Sequence, residues 1–182
     1  FLLPVLEQLI EQFPFRVLGF HADNGSEYIN HTVARLLNKL NAEFTKSRPR
    51  HSNDNALAET KNGVVVRKCF GYSHIPQRFA ARINEFCRLH LNPYLNLHRP
   101  CLFAAEIPDP AKPGRIRKTY PHNLVQTPLE KLASLPNVAE FLKPNTPLHA
   151  LLQRAHSCTD LQAAADLNVQ RMLLFESFKK RS

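Results

Sequence analysis

Five apolar residues, Ile29, Val33, Leu36, Leu37 and Leu40, recur at i, i+4, i+7, i+8 and i+11 and predict an amphipathic helix over 30–41. A mostly apolar run precedes it, reading as a short buried strand over 15–21 that Asn24-Gly25 breaks. A second short strand reads over 42–47. Strand, helix and strand in this order leave few topologies open. The crossover is right-handed, and the two strands lie parallel in one sheet. This unit makes the chain an α/β protein.

The flanking sequence is helical. Val5, Leu6, Leu9, Ile10 and Phe13 form one stripe of a helix over 4–13, with Pro4 in its first turn and Pro14 stopping it. A polar, basic loop, "SRPRHSNDN" (47–55), leads into a helix over about 55–68, capped by Asn53 or Asp54 and weakened by Gly63. Another helix starts near Pro76, carries Phe79, Ile83 and Phe86 inward, and ends in "NPYLNLHRP" (92–100). The stretch "IPDPAKPGRIRK" (107–118), with three prolines, a glycine and a basic cluster, reads as a linker. The expected organisation is therefore a core over 1–106, a Pro/basic linker over 107–118 and a mostly helical C-terminal region over 119–182. In that last region "TPLE" (127–130) and "TDLQ" (159–162) are capping boxes, Thr146-Pro147 starts a helix, and 169–178 reads as a final amphipathic helix.

Two acids stand out. Asp23 lies just past the carboxyl end of the first strand, where open α/β sheets place ligands. Glu59 belongs to the first turns of the helix after "SNDN", with 35 residues between the two. Facing carboxylates repel unless a counter-charge joins them. Mg²⁺ suits that role, because it takes oxygen ligands and keeps several waters. The plainer alternative stays open at this point. Asp23 before Asn-Gly is also a good turn residue, and Glu59 near a helix start also complements the helix dipole.

"HADNGSEY" (21–28), "SRPRHSNDNALAETKNGVVVRK" (47–68) and "LNPYLNLHRPCLF" (91–103) together resemble the second half of the catalytic core of DDE transposases. The likeness is to insertion-sequence transposases with a retroviral-integrase-type core, and it covers roughly residues 15–105. The resemblance implies a partial ribonuclease H-like (RNase H-like) fold. It matches the family's second catalytic Asp to Asp23 and its Glu to Glu59, both as metal ligands and not general bases, with Mg²⁺ or Mn²⁺ as cofactor. The same separation between these acids is common in that family. It further implies DNA as partner, both transposon ends and target, and a bacterial cytoplasmic, nucleoid-associated location. A homo-oligomer is an option for the complete protein. One departure is plain: the family's first Asp precedes the helix before Asp23, and no Asp occurs before Asp23 here. The expectation is a carboxyl-terminal transposase fragment that binds DNA and, when complete, cleaves DNA and transfers strands, but is inactive alone.

Charge agrees with a polyanion partner. Lys plus Arg number 24 against 15 acids, a formal charge of +9. Lys46, Arg48, Arg50, Lys61, Arg67 and Lys68 cluster around the second acid and are the expected phosphate contacts. An anionic membrane surface would also attract such a charge, but no stretch approaches the roughly 20 apolar residues needed to span a bilayer. The four cysteines form no CxxC pair and read as reduced thiols. Cys87 and His90, and His98 and Cys101, imitate zinc-ligand spacing, yet the first pair flanks the inner stripe of a helix. No Cys-His-Asp arrangement argues for nucleophilic catalysis. For His21 a hydrogen-bonded or packing role is expected. The competing reading, from another functional class, is a non-catalytic DNA-binding or helical interaction protein derived from a transposase remnant.

Overall fold

The computed structural model describes residues 2–22, 31–39, 42–46, 62–112 and 114–179. The chain is mixed α/β and divides into two compact units, Phe1–Ala80 and Ala81–Ser182. The division falls at Ala80, ahead of the stretch read as a linker.

The first unit carries the expected strand–helix–strand element. Strand β1 (Gly19–Ala22) pairs in parallel with β2 (Glu43–Lys46), and helix α2 (His31–Lys39) lies between them in sequence. The register sets Gly19 opposite Glu43 and Ala22 opposite Lys46, so both strands end at the same sheet edge. Helix α1 (Leu2–Gln12) completes the unit's core, in which Leu6, Val33, Leu37 and Ala42 are buried with Phe20 and Leu36 against them. Val33 and Leu37 belong to the stripe that predicts the helix, so the periodicity and the packing agree. Strand β1 is shorter than its apolar run suggests, because Phe15 to Leu18 lie before the parallel ladder begins. His21 sits directly opposite Thr45, and its Nδ1 lies 2.9 Å from the Thr45 hydroxyl. That is the hydrogen-bonded role expected of it.

Past residue 61 the chain runs as a π-helical turn, Asn62–Arg67, into α3 (Lys68–Phe70), which Gly71 ends at φ 80°. A 3-10 turn, Gln77–Phe79, then feeds α4 (Ala80–Phe86).

In the second unit the helix does not stop at Asn92-Pro93. A π turn over Cys87–Leu91 joins α4 to α5 (Asn92–Leu97). Proline lacks the N–H for the helical ladder, and its ring collides with the carbonyl four residues back. Here the Asn92 N–H reaches five residues back to the Cys87 carbonyl, so the turn ahead of Pro93 is widened and admits the ring. The helix ends at Leu97, with His98 as its C-cap.

Residues 107–118 are not an open linker. Strand β4 (Ala105–Pro108) pairs antiparallel with β5 (Ile116–Thr119), after a short β3 (Cys101–Leu102). The turn is built from the residues that suggested a linker. The Asp109 carboxylate accepts from the Ala111 N–H at 3.0 Å, the Asp109 N–H donates to the Arg115 carbonyl at 2.7 Å, and Gly114 takes φ 83°. Pro108 is tolerated because it sits at a strand end in a two-stranded ribbon.

The remainder is mostly helical. β6 (Val125–Gln126) pairs with β3, and α6 (Pro128–Ala133), α7 (Leu148–Ala155) and α8 (Asp160–Lys179) follow. Both capping boxes form. Glu130 N–H donates to Thr127 Oγ1 at 3.1 Å while Thr127 N–H donates to Glu130 Oε2 at 2.7 Å. Thr159 and Gln162 repeat the exchange at 2.9 and 3.2 Å. At the other end of α8, Arg82 donates to the Ser177 carbonyl at 2.7 Å, a cation where the helix dipole is negative. Phe86, Leu91, Leu97, Leu129, Leu132, Leu151 and Leu174 form the buried set. The final helix begins nine residues earlier than its predicted amphipathic segment. It buries Leu174 but leaves Val169, Met172 and Leu173 about half exposed on a second stripe, so it is apolar on two sides. Among the described residues, no helix is long and apolar enough to cross a membrane.

Candidate functional site

The carboxyl edge of the β1–β2 pair is where sequence reasoning puts chemistry. Ala22, the last residue of β1, directly precedes Asp23, and Lys46, the last of β2, leads into the segment that carries Glu59. Asp23, Glu59, Arg48, Arg50 and Lys61 lie outside the described residues. Lys46 is placed by its backbone at the end of β2. Among the described residues, no group of three or more His, Cys, Asp or Glu side chains could hold a metal ion.

Arg67 and Lys68 are exposed, at the junction of the π turn and α3. The Arg67 guanidinium lies over the Tyr72 ring, 5.4 Å from its centroid, and Tyr72 is 85% exposed. A cation over an aromatic face is attracted by the ring quadrupole. This leaves one basic and one aromatic group presented together to solvent. Tyr72 was not singled out from the sequence, where a lone tyrosine after Gly71 carries no signal.

A second constellation lies wholly within the second unit. His98 is buried at 7% exposure in the C-cap position of α5. Its Nδ1 stands 3.1 Å from Asp160 Oδ1 on the first turn of α8, and its Nε2 stands 3.9 Å from Cys158 Sγ. Cys158 and Asp160 flank Thr159, the N-cap whose box with Gln162 fixes the chain's entry into α8. Both side chains border a cavity of about 230 Å³, also lined by Thr127, Glu130, His156 and Leu129. No Cys-His-Asp arrangement that would argue for nucleophilic catalysis is visible in the sequence, yet the fold brings one residue of each type together. His98 is 60 residues from Cys158 in sequence, and no short-range spacing marks the pair.

Comparison with known proteins adds one relative. The chain is 35% identical over 99 residues to the uncharacterized protein y4rM of Sinorhizobium fredii, an overlap of 52% of this chain and 27% of that protein. The chain thus spans about a quarter of that relative's length. No protein-family model matches the chain. No solved structure matches it.

Proposed function

We propose that the chain is a fragment of a DDE transposase or integrase, with a partial RNase H-like core, that binds DNA. The observation that carries this reading is the parallel β1–β2 pair, whose strands end together just before Asp23 and before the segment bearing Glu59. Such a strand end is where an α/β sheet offers ligand sites, and it matches the place of the paired acids in the resembled motif. Asp23 and Glu59 would hold Mg²⁺ or Mn²⁺, as two carboxylates suit a hard divalent cation. The ion, when bound, would supply Lewis-acid activation at phosphorus.

Arg67 and Lys68, with Lys46, Arg48, Arg50 and Lys61, neutralise phosphates on this reading. Tyr72 beside Arg67 adds an aromatic surface for an unpaired base. The experiment is a binding titration of the full chain with fluorescent duplex DNA, with and without Mn²⁺, against the Asp23→Asn/Glu59→Gln double variant. Salt-dependent DNA binding with manganese binding lost in the variant is the expected result. DNA binding with no response to either acid favours the non-catalytic remnant, and absence of DNA binding overturns the proposal.

A further inference from the structure

We propose that Cys158, His98 and Asp160 form a nucleophilic thiol site that reacts with a small carbon electrophile admitted by the adjoining cavity. The ordering of the three groups is what carries the inference. An ionised carboxylate can only accept a hydrogen bond, so Asp160 Oδ1 at 3.1 Å requires the proton of neutral His98 to sit on Nδ1. The lone pair then resides on Nε2, the nitrogen that faces Cys158 Sγ at 3.9 Å. A thiol beside the free lone pair of an oriented imidazole has its base in place, and a third group holds that base. The 3.9 Å separation is long for proton transfer, and catalytic contacts commonly tighten only once substrate is bound.

Burial separates the roles. His98 is enclosed by the fold, whereas Cys158 is partly exposed and lines the cavity, so the nucleophile and not the base meets the solvent side. The cavity, about 230 Å³, falls below the usual range of roughly 300–1,000 Å³ for sites that enclose drug-sized ligands. The electrophile is therefore small. The lining also holds the polar residues Thr127, Glu130, His156 and Thr159.

In the reaction the Cys158 proton passes to His98 Nε2, and sulfur forms a bond to the electrophilic carbon. The carbon's bond to its leaving group breaks, that group departs with the electron pair, and His98 releases the proton to solvent. This activity is independent of DNA binding and of Asp23 and Glu59.

Iodoacetamide is the probe, and Cys101 is the control within the same chain. Cys101 is also partly exposed, but its Sγ faces the Arg99 carbonyl at 3.6 Å, an acceptor too weakly basic to take a proton. Peptide mass spectrometry of the full chain would give the alkylation rate at each cysteine at neutral pH. Cys158 is expected to react about tenfold or more faster than Cys101. Asp160→Ala and Asp160→Asn should bring the Cys158 rate close to the Cys101 rate. Asp160→Glu should restore part of the difference. Asp160 is about half exposed, so these variants keep the fold even if His98→Gln does not, and far-UV circular dichroism checks this. Equal rates at Cys158 and Cys101 in the unaltered chain overturn the proposal. So does a Cys158 rate that Asp160→Ala and Asp160→Asn leave unchanged in a folded chain.

Discussion

Replacing Thr127 with alanine should destabilise the second unit by about 2 kcal/mol, a sum of two separable parts. Thr127 is only 4% exposed, and its hydroxyl accepts from the Glu130 N–H at 3.1 Å. Removing an N-cap hydroxyl costs about 0.5–2 kcal/mol, with the upper half expected where little water can replace it. The lost methyl adds about 0.8 kcal/mol of buried apolar surface. Thr127→Ser isolates that second part, since it keeps the hydroxyl and loses the methyl. Glu130→Ala removes the reciprocal bond from the Thr127 N–H, which is the shorter one at 2.7 Å. Because the two bonds fix the same turn, the double variant should cost less than the sum of the single ones, by about 0.5–1 kcal/mol. Urea denaturation followed at 222 nm measures all four variants against the unaltered chain. If Thr127→Ala and Thr127→Ser agree within about 0.3 kcal/mol, the hydroxyl contributes nothing and the capping argument is refuted.

Leu37 is 1% exposed amid Leu6, Val33 and Ala42, so Leu37→Ala should cost about 3–5 kcal/mol in urea denaturation, and a loss under about 1 would deny that core. Two glycines should respond with opposite signs. Gly71→Ala meets no atom within 4 Å but must hold φ 80° and ψ −163°, at a cost of about 1–3 kcal/mol. Gly63→Ala also meets open space, lies inside a helical turn, and should stabilise by about 0.5–1 kcal/mol. For DNA, the Arg67→Ala/Lys68→Ala pair should weaken binding across sequences and lower the slope of log affinity against log salt by about 2, and an unchanged slope removes these residues from the interface.

The parallel β–α–β unit was readable because one period, apolar residues on a single stripe from Ile29 to Leu40, leaves little choice about what lies on either side. Both capping boxes were readable for a similar reason: a hydroxyl and a carboxylate or amide three residues apart complete their bonds locally. The hairpin at 105–119 was hidden because its evidence is ambiguous. Asp109 and Gly114 make its turn, and the same residue types make linkers; only the pairing of Ile107 with Arg117 distinguishes the two. The end of this helix within 92–100 was readable, whereas the widened turn that admits the Pro93 ring was not, because it depends on the path of the backbone from Cys87 to Asn92. His98, Asp160 and Cys158 meet only through tertiary packing, and nothing in the spacing of the three residues announces it.

The π turn over Cys87–Leu91 holds one residue more than the α turn it replaces. The extra residue re-phases the helix, so that buried Phe86 is followed by buried Leu91 after five positions instead of three or four. Length and proline are therefore coupled in this segment. A homologue without proline at position 93 has no need of the wider turn and can lose one residue while keeping the inward faces of both helical halves aligned. Deleting exposed Arg88 together with Pro93→Ala should then be far milder than the deletion alone. A single-residue change of length in this mid-helix segment is therefore expected to go together with a change at position 93.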